Sequence, residues 1–195
     1  MSIVSRPIKY LFVVIVLSIL SFGSGMLVGN KANASNAFTW NGHWANEDYI
    51  PYLNNVSYNY QRLQALVNNA ALDNINNNQY IVTYVKSNSA LGRLVLVEDV
   101  YTSTSWTGKA SGASYNWDSN SHYYGVNVEL NVRNGILNYS NAKLAGLIAH
   151  ELGHALGLMH RDDIDYLMYP YDNRNQYTPN DTEDVTIMNH YYHQL

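Results

Sequence analysis

His150, Glu151 and His154 stand in the order His-Glu-x-x-His. Gly157 and His160 extend the frame to His150-Glu151-Leu152-Gly153-His154-Ala155-Leu156-Gly157-Leu158-Met159-His160. Histidines four apart share one face of a helix, so two imidazoles at that spacing can grip one zinc ion at about 2.0–2.1 Å each. Glu151 is turned roughly 100° from His150 around the same helix, which sets its carboxylate beside the metal. There it can take a proton from a water on the ion. Gly157 lets the chain leave the helix sharply, and His160 can return as a third ligand. Three protein donors leave one position open, as in a catalytic rather than a structural zinc site. The competing reading is a non-enzymatic secreted or cell-surface binding module that keeps a zinc for stability. Glu151 argues against it, because a purely structural site needs no carboxylate beside an open position.

These residues need a helix under them and a sheet beside them. Ser140 is a good N-cap, and Leu144, Leu147, Ile148 and Leu152 carry a helix to about Leu156. Gly157 then sits where a helix end favours a left-handed residue. Upstream, Tyr60 to Ile75 places Leu63, Leu66, Val67, Ala70 and Ala71 on one helical face. Tyr80 to Lys86 and Leu94 to Val100 are apolar, β-branched runs of strand length. Tyr124 to Val132 alternates, with Val126, Val128, Leu130 and Val132 on one side and Asn127, Glu129 and Asn131 on the other. Thr102 to Asn120 reads as loop with one short strand, and Ser35 to Pro51 as irregular. A last helix opens after Thr178-Pro179-Asn180-Asp181. This order predicts an α/β (α+β) domain with its sheet in the first half.

The eleven-residue frame resembles the long zinc signature of the metzincin metallopeptidases. Eight residues after His160 comes Met168, within Asp165-Tyr166-Leu167-Met168-Tyr169-Pro170-Tyr171. That stretch looks like the methionine turn of the clan, and its Met-Tyr-Pro form resembles the matrixins. Tyr177 to Val185 is similar to the opening of the last matrixin helix. The resemblance implies a zincin-like domain whose twisted, mostly parallel sheet has an antiparallel edge strand. It also implies an active-site helix and a C-terminal helix. His150, His154 and His160 would bind one zinc, Glu151 would act as general base and then general acid, and Met168 would lie beneath the metal. Pro170 and Tyr171 would wall the pocket for the residue after the scissile bond. Asp184 would tie the last helix to the methionine turn. Substrate would add to the sheet edge as an antiparallel strand, the edge coming from Ala110 to Tyr123. The implied activity is that of a zinc endopeptidase acting on protein or peptide substrates.

Departures from the family are informative. With no cysteine there is no cysteine switch, and hardly any chain is left for a propeptide. The upstream ligands of a second, structural zinc are missing, which predicts a single ion. Pro170 stands where some metzincins place a zinc-binding tyrosine. His43, His122, His190 and His193 read as solvated or hydrogen-bonded histidines rather than ligands. Asp162, Asp163 and Asp165 offer oxygens of the kind calcium takes, but three carboxylates in a surface loop are usually just solvated.

Composition sets the compartment. The 195 residues hold no Cys, 18 Tyr and 26 Asn, and only 13% are charged. A formal net charge of −4 leaves no electrostatic footprint for nucleic acid. Arg6 and Lys9 precede an apolar run from Leu11 to Val28, and Ala32-Asn33-Ala34 follows. This describes a secretory signal over residues 1–34 ahead of one catalytic domain at 35–195. The alternative is a membrane anchor retained through residues 11–28, a run nearly long enough to span a bilayer. Cleavage removes Arg6, Lys9 and Lys31 and no acid, leaving 8 basic and 15 acidic residues. The expected product is an acidic, secreted monomer that meets a membrane only if the N-terminal segment is kept.

Overall fold

Elements follow the hydrophobic pattern of the chain, with two departures, at the antiparallel edge and at the first strand. The computed structural model describes residues 44, 49–69, 73, 75, 76, 83–89, 94–111, 123, 125–181 and 183, all within the unit Asn36–Leu195. In chain order these form β1 (Tyr49–Asn54), α1 (Gln61–Asn68), β2 (Thr83–Lys86), β3 (Leu94–Val100), β4 (Gly108–Ser111), β5 (Gly125–Asn131) and α2 (Asn141–Ala155). The strands lie side by side in the order β2-β1-β3-β5-β4. β1 runs parallel to β2 and β3, and β3 parallel to β5, while β4 lies antiparallel on β5 at the edge. That is the expected mostly parallel sheet with an antiparallel edge strand.

β1 occupies a stretch whose first half was expected to be irregular, with Pro51 inside it. Proline cannot donate to a ladder. The pairing of β1 with β3 begins only at Tyr52, so Pro51 lies in the half bonded to β2 and not yet to β3. The edge strand starts two residues before the expected range, at Gly108. Its sequence, Gly-Lys-Ala-Ser, has too little apolar alternation to announce a strand. Residues 112–122 lie outside the described residues.

Val126, Val128 and Leu130 of β5 are fully buried, as their alternation predicts. Asn131 is buried as well, against expectation. Its amide donates to the carbonyls of Thr102 and Trp106, both at 3.1 Å, and its Oδ1 accepts from the Thr102 amide at 3.2 Å. A polar side chain goes inside here because it knots the loop between β3 and β4. In α1, Leu63 and Val67 face the core; Ala70 and Ala71 lie outside the described residues.

Ser140 caps α2 by accepting from the Lys143 amide at 3.2 Å. From Leu144 to Ala155 the helix is buried on every face, so it is the central element and not an amphipathic one. Each of Leu144, Leu147, Ile148 and Leu152 contributes about 1.5–3 kcal/mol by leaving water. Among the described residues no helix is long and apolar enough to cross a membrane; residues 11–28 are not among them.

Candidate zinc centre and substrate cleft

The end of α2 aims the first imidazoles. Gly157 takes φ +98°, beyond the reach of most side chains. The Leu158 amide donates to the Gly153 carbonyl at 3.0 Å and the Gly157 amide to that of His154 at 2.9 Å, the paired bonds of a Schellman turn. This turn brings the Leu158 carbonyl to 2.7 Å from Nδ1 of His154. A carbonyl can only accept, so that nitrogen carries the proton and Nε2 keeps its lone pair. The same logic applies to His150, whose Nδ1 donates to the Leu167 carbonyl at 2.8 Å. Tyr84 and Trp44 hold the helix end in place by donating to the carbonyls of Leu152 and Ala155, each at 2.8 Å.

His160 completes the group from beyond the turn. Nε2 of His154 and Nε2 of His160 are 3.0 Å apart, and one donor atom from each of the three histidines lies within 4.8 Å of the others. With Nε2 of His154 unprotonated, His160 can bring a second nitrogen to the same point, and a cation there could take both. Three neutral imidazoles are a donor set that suits zinc, one short of a tetrahedral shell. The residues fit the ion. Burial lowers all three histidines below the usual 6.5, His154 to about 4 and His150 well below, which keeps them neutral and able to bind metal.

Met168 is fully buried and packs against the helix at Gly153. A Cβ on Gly153 would come within 2.6 Å of its sulfur, so the second variable position of the His-Glu-x-x-His motif is small because the methionine turn packs there. The Met168 and Leu167 amides donate to the Glu183 carboxyl at 2.8 and 3.2 Å. Glu183 and Asn180 also bond each other's amides, at 3.1 Å in both directions, as in a capping box. Glu183 thus ties this segment to the turn around Met168; Asp184, expected in that role, lies outside the described residues.

Glu151 is buried, with its carboxyl against β4. The Ala110 amide bonds it, and Gly108 approaches so closely that a Cβ would sit 2.6 Å from Oε1. Burial pushes its pKa up to about 8, against the pull of Arg174 and the Ala110 bond.

The three histidines and Glu151 line a cleft of about 610 Å³. Its rim is Ser105 to Ala110, its floor is α2 with Leu147, and its far wall holds Pro170, Tyr171, Asp172 and Arg174. Pro170 and Tyr171, expected as pocket-wall residues, are among those that line this cleft. Asp172 and Arg174 were not anticipated. Oδ2 of Asp172 accepts from Thr107 Oγ1 at 2.8 Å and from the Tyr139 hydroxyl at 2.7 Å, joining rim, wall and the approach to α2. Arg174, almost wholly buried, donates to the carbonyls of Gly146 and Tyr169 at 3.2 Å and lies 3.7 Å from Asp172. No motif in the sequence marks these two.

Among the described residues the three histidines are the group whose donor atoms converge well enough to hold a metal. Asp163 and Asp165 instead bond within their loop, to the Asp165 amide at 3.0 Å and to Asn175 at 2.8 Å. His43, His122, His190 and His193 lie outside the described residues.

Comparison with known proteins gives the same picture. The family model described as Matrixin matches residues 25–193. The solved structure of myroilysin is similar with a TM-score of 0.53 at 14% identity, covering 80% of this chain and 98% of that one. At that identity the likeness shows the fold. A second solved structure is of high choriolytic enzyme 1, a hatching enzyme zinc-protease from Oryzias latipes (medaka fish). It is 17% identical with a TM-score of 0.44, over 77% of this chain and 94% of that one. No curated protein matches the sequence significantly.

Proposed function

The chain belongs to the matrixin family and is a zinc metalloendopeptidase, and on that premise we propose that Glu151 is its general base and then its general acid, in an enzyme exported from the cell. His150, His154 and His160 would hold the metal through Nε2, with Met168 packed beneath them. A bound zinc supplies Lewis acidity, lowering the pKa of a water and polarising the scissile carbonyl. Glu151 takes the proton of the attacking water and hands it to the departing amine. An extended peptide pairs antiparallel with β4, the edge of the sheet, so recognition begins at its backbone. Pro170 and Tyr171 wall the pocket for the side chain that follows the scissile bond.

The observation that carries this reading is the place of the Glu151 carboxyl. It lies buried in the same cleft as the three imidazoles, one residue on from His150. Export is supported by Arg6 and Lys9 before the apolar run and by Ala32-Asn33-Ala34 after it, which puts a signal at residues 1–34 and the catalytic domain at 35–195. Glu151→Ala should abolish hydrolysis of casein and peptide libraries while zinc content stays near one per chain. Full activity in that variant would sink the mechanism.

A further inference from the structure

We propose that Glu183 is a positioning residue for His150, acting through the single peptide group that joins Leu167 to Met168. The carbonyl of that peptide accepts the Nδ1 proton of His150 at 2.8 Å, and its N–H donates to Oε1 of Glu183, also at 2.8 Å. Hydrogen bonds at the two ends of one amide reinforce each other, because each polarises the same delocalised group. A carboxylate on the N–H makes the carbonyl a stronger acceptor. The stronger acceptor holds His150 as the Nδ1–H tautomer and enriches the lone pair on Nε2. The effect is that of a carboxylate bonded directly to a metal-binding histidine, with one peptide interposed.

Glu183 is built to hold that position. It is 1% exposed, and its other oxygen accepts from the Leu167 and Asn180 amides at 3.2 and 3.1 Å. Both oxygens are thus engaged by N–H donors, so the side chain cannot swing away from Met168 without losing three bonds. The inference rests on the reading of His150 as a zinc ligand and adds the group that tunes it.

The test is zinc affinity of the full chain, measured with zinc ions against a competing chelator. Glu183→Gln should weaken binding by about 10- to 100-fold. In a His150→Ala background the same change should have no further effect, whereas in a His160→Ala background the loss should persist. Asn180→Ala removes the cap but leaves the Glu183–Met168 bond; it should lower the melting temperature and keep zinc affinity within about twofold of wild type. Equal loss in the His150→Ala background, or in Asn180→Ala, marks a merely structural role and overturns the proposal. If Glu183→Gln does not fold, nitrogen-15 NMR of the metal-free wild type decides. The Nδ1–H tautomer at His150 with a downfield proton supports the relay, and the Nε2–H tautomer overturns it. A wild type that binds no zinc defeats the whole site; one that binds zinc as tightly as Glu183→Gln defeats this proposal alone.

Discussion

Gly108 and Glu151 are in such close contact that the strand has no room for a side chain where the Glu151 carboxyl lies. A methyl group there would fall 2.6 Å from Oε1 and 2.8 Å from Cγ of Glu151. The backbone of β4 is held by its ladder on β5, so the flexible carboxyl would be the part to yield. Gly108→Ala should therefore fold with near-normal stability and bind zinc normally, yet lose on the order of 100-fold in kcat, the usual effect of misplacing a catalytic group by about 1 Å. Steady-state kinetics beside a zinc assay would check this; unchanged kcat would mean that Glu151 works from another position.

Asp172 should matter for binding more than for chemistry. Its Oδ2 receives both the Thr107 and the Tyr139 hydroxyls, while Arg174 lies on its other oxygen. Asp172→Asn keeps the shape but removes the charge that strengthens these bonds, at about 1.5–3 kcal/mol. Rim and wall would then part more easily, so KM should rise severalfold with a smaller change in kcat. Urea unfolding and Michaelis kinetics measure the two effects. Wild-type values in both would show that the network holds nothing.

The metal-free protein should be acid-labile. Burial holds His154 down at about 4 and His150 well below its ordinary value, and the unfolded chain returns both to about 6.5. As pH falls from about 6.5 toward 4, the unfolded chain takes up protons that the fold refuses, so stability drops with pH through that window and is full above it. His154 alone accounts for about 3 kcal/mol on this scale. Urea titrations of chelator-treated protein across the range will show the decline. A flat profile would mean that the two imidazoles are not held neutral by the fold.

The zinc centre was the most legible part of the chain, because spacing on a helix is a geometric statement. Residues four apart must share a face, and a glycine after a helix must turn it, so the convergence of His150, His154 and His160 could be read directly. The parallel strands were legible for the same kind of reason, since Leu94 to Val100 and the alternation in β5 have no other good home. Two strands were harder. Pro51 hid β1, because a missing donor is tolerated where the neighbouring ladder has not begun. β4 hid itself, because its first residue answers to the Glu151 carboxyl rather than to the pleat. Asn131, Asp172 and Arg174 were out of reach for a different reason. Their roles depend on partners about 25 to 65 positions away, and nothing local distinguishes a buried polar knot from a solvated one.

Glu183 follows all three histidine ligands in the chain, 23 residues after His160. A polypeptide that emerges from its N-terminus therefore presents every ligand before it presents the group that secures the methionine turn beneath them. Until Glu183 arrives, the turn lacks its anchor and His150 its fixed carbonyl. A chain cut short before residue 183 lacks the carboxyl that holds the Leu167 and Met168 amides, and it should make a poor protease.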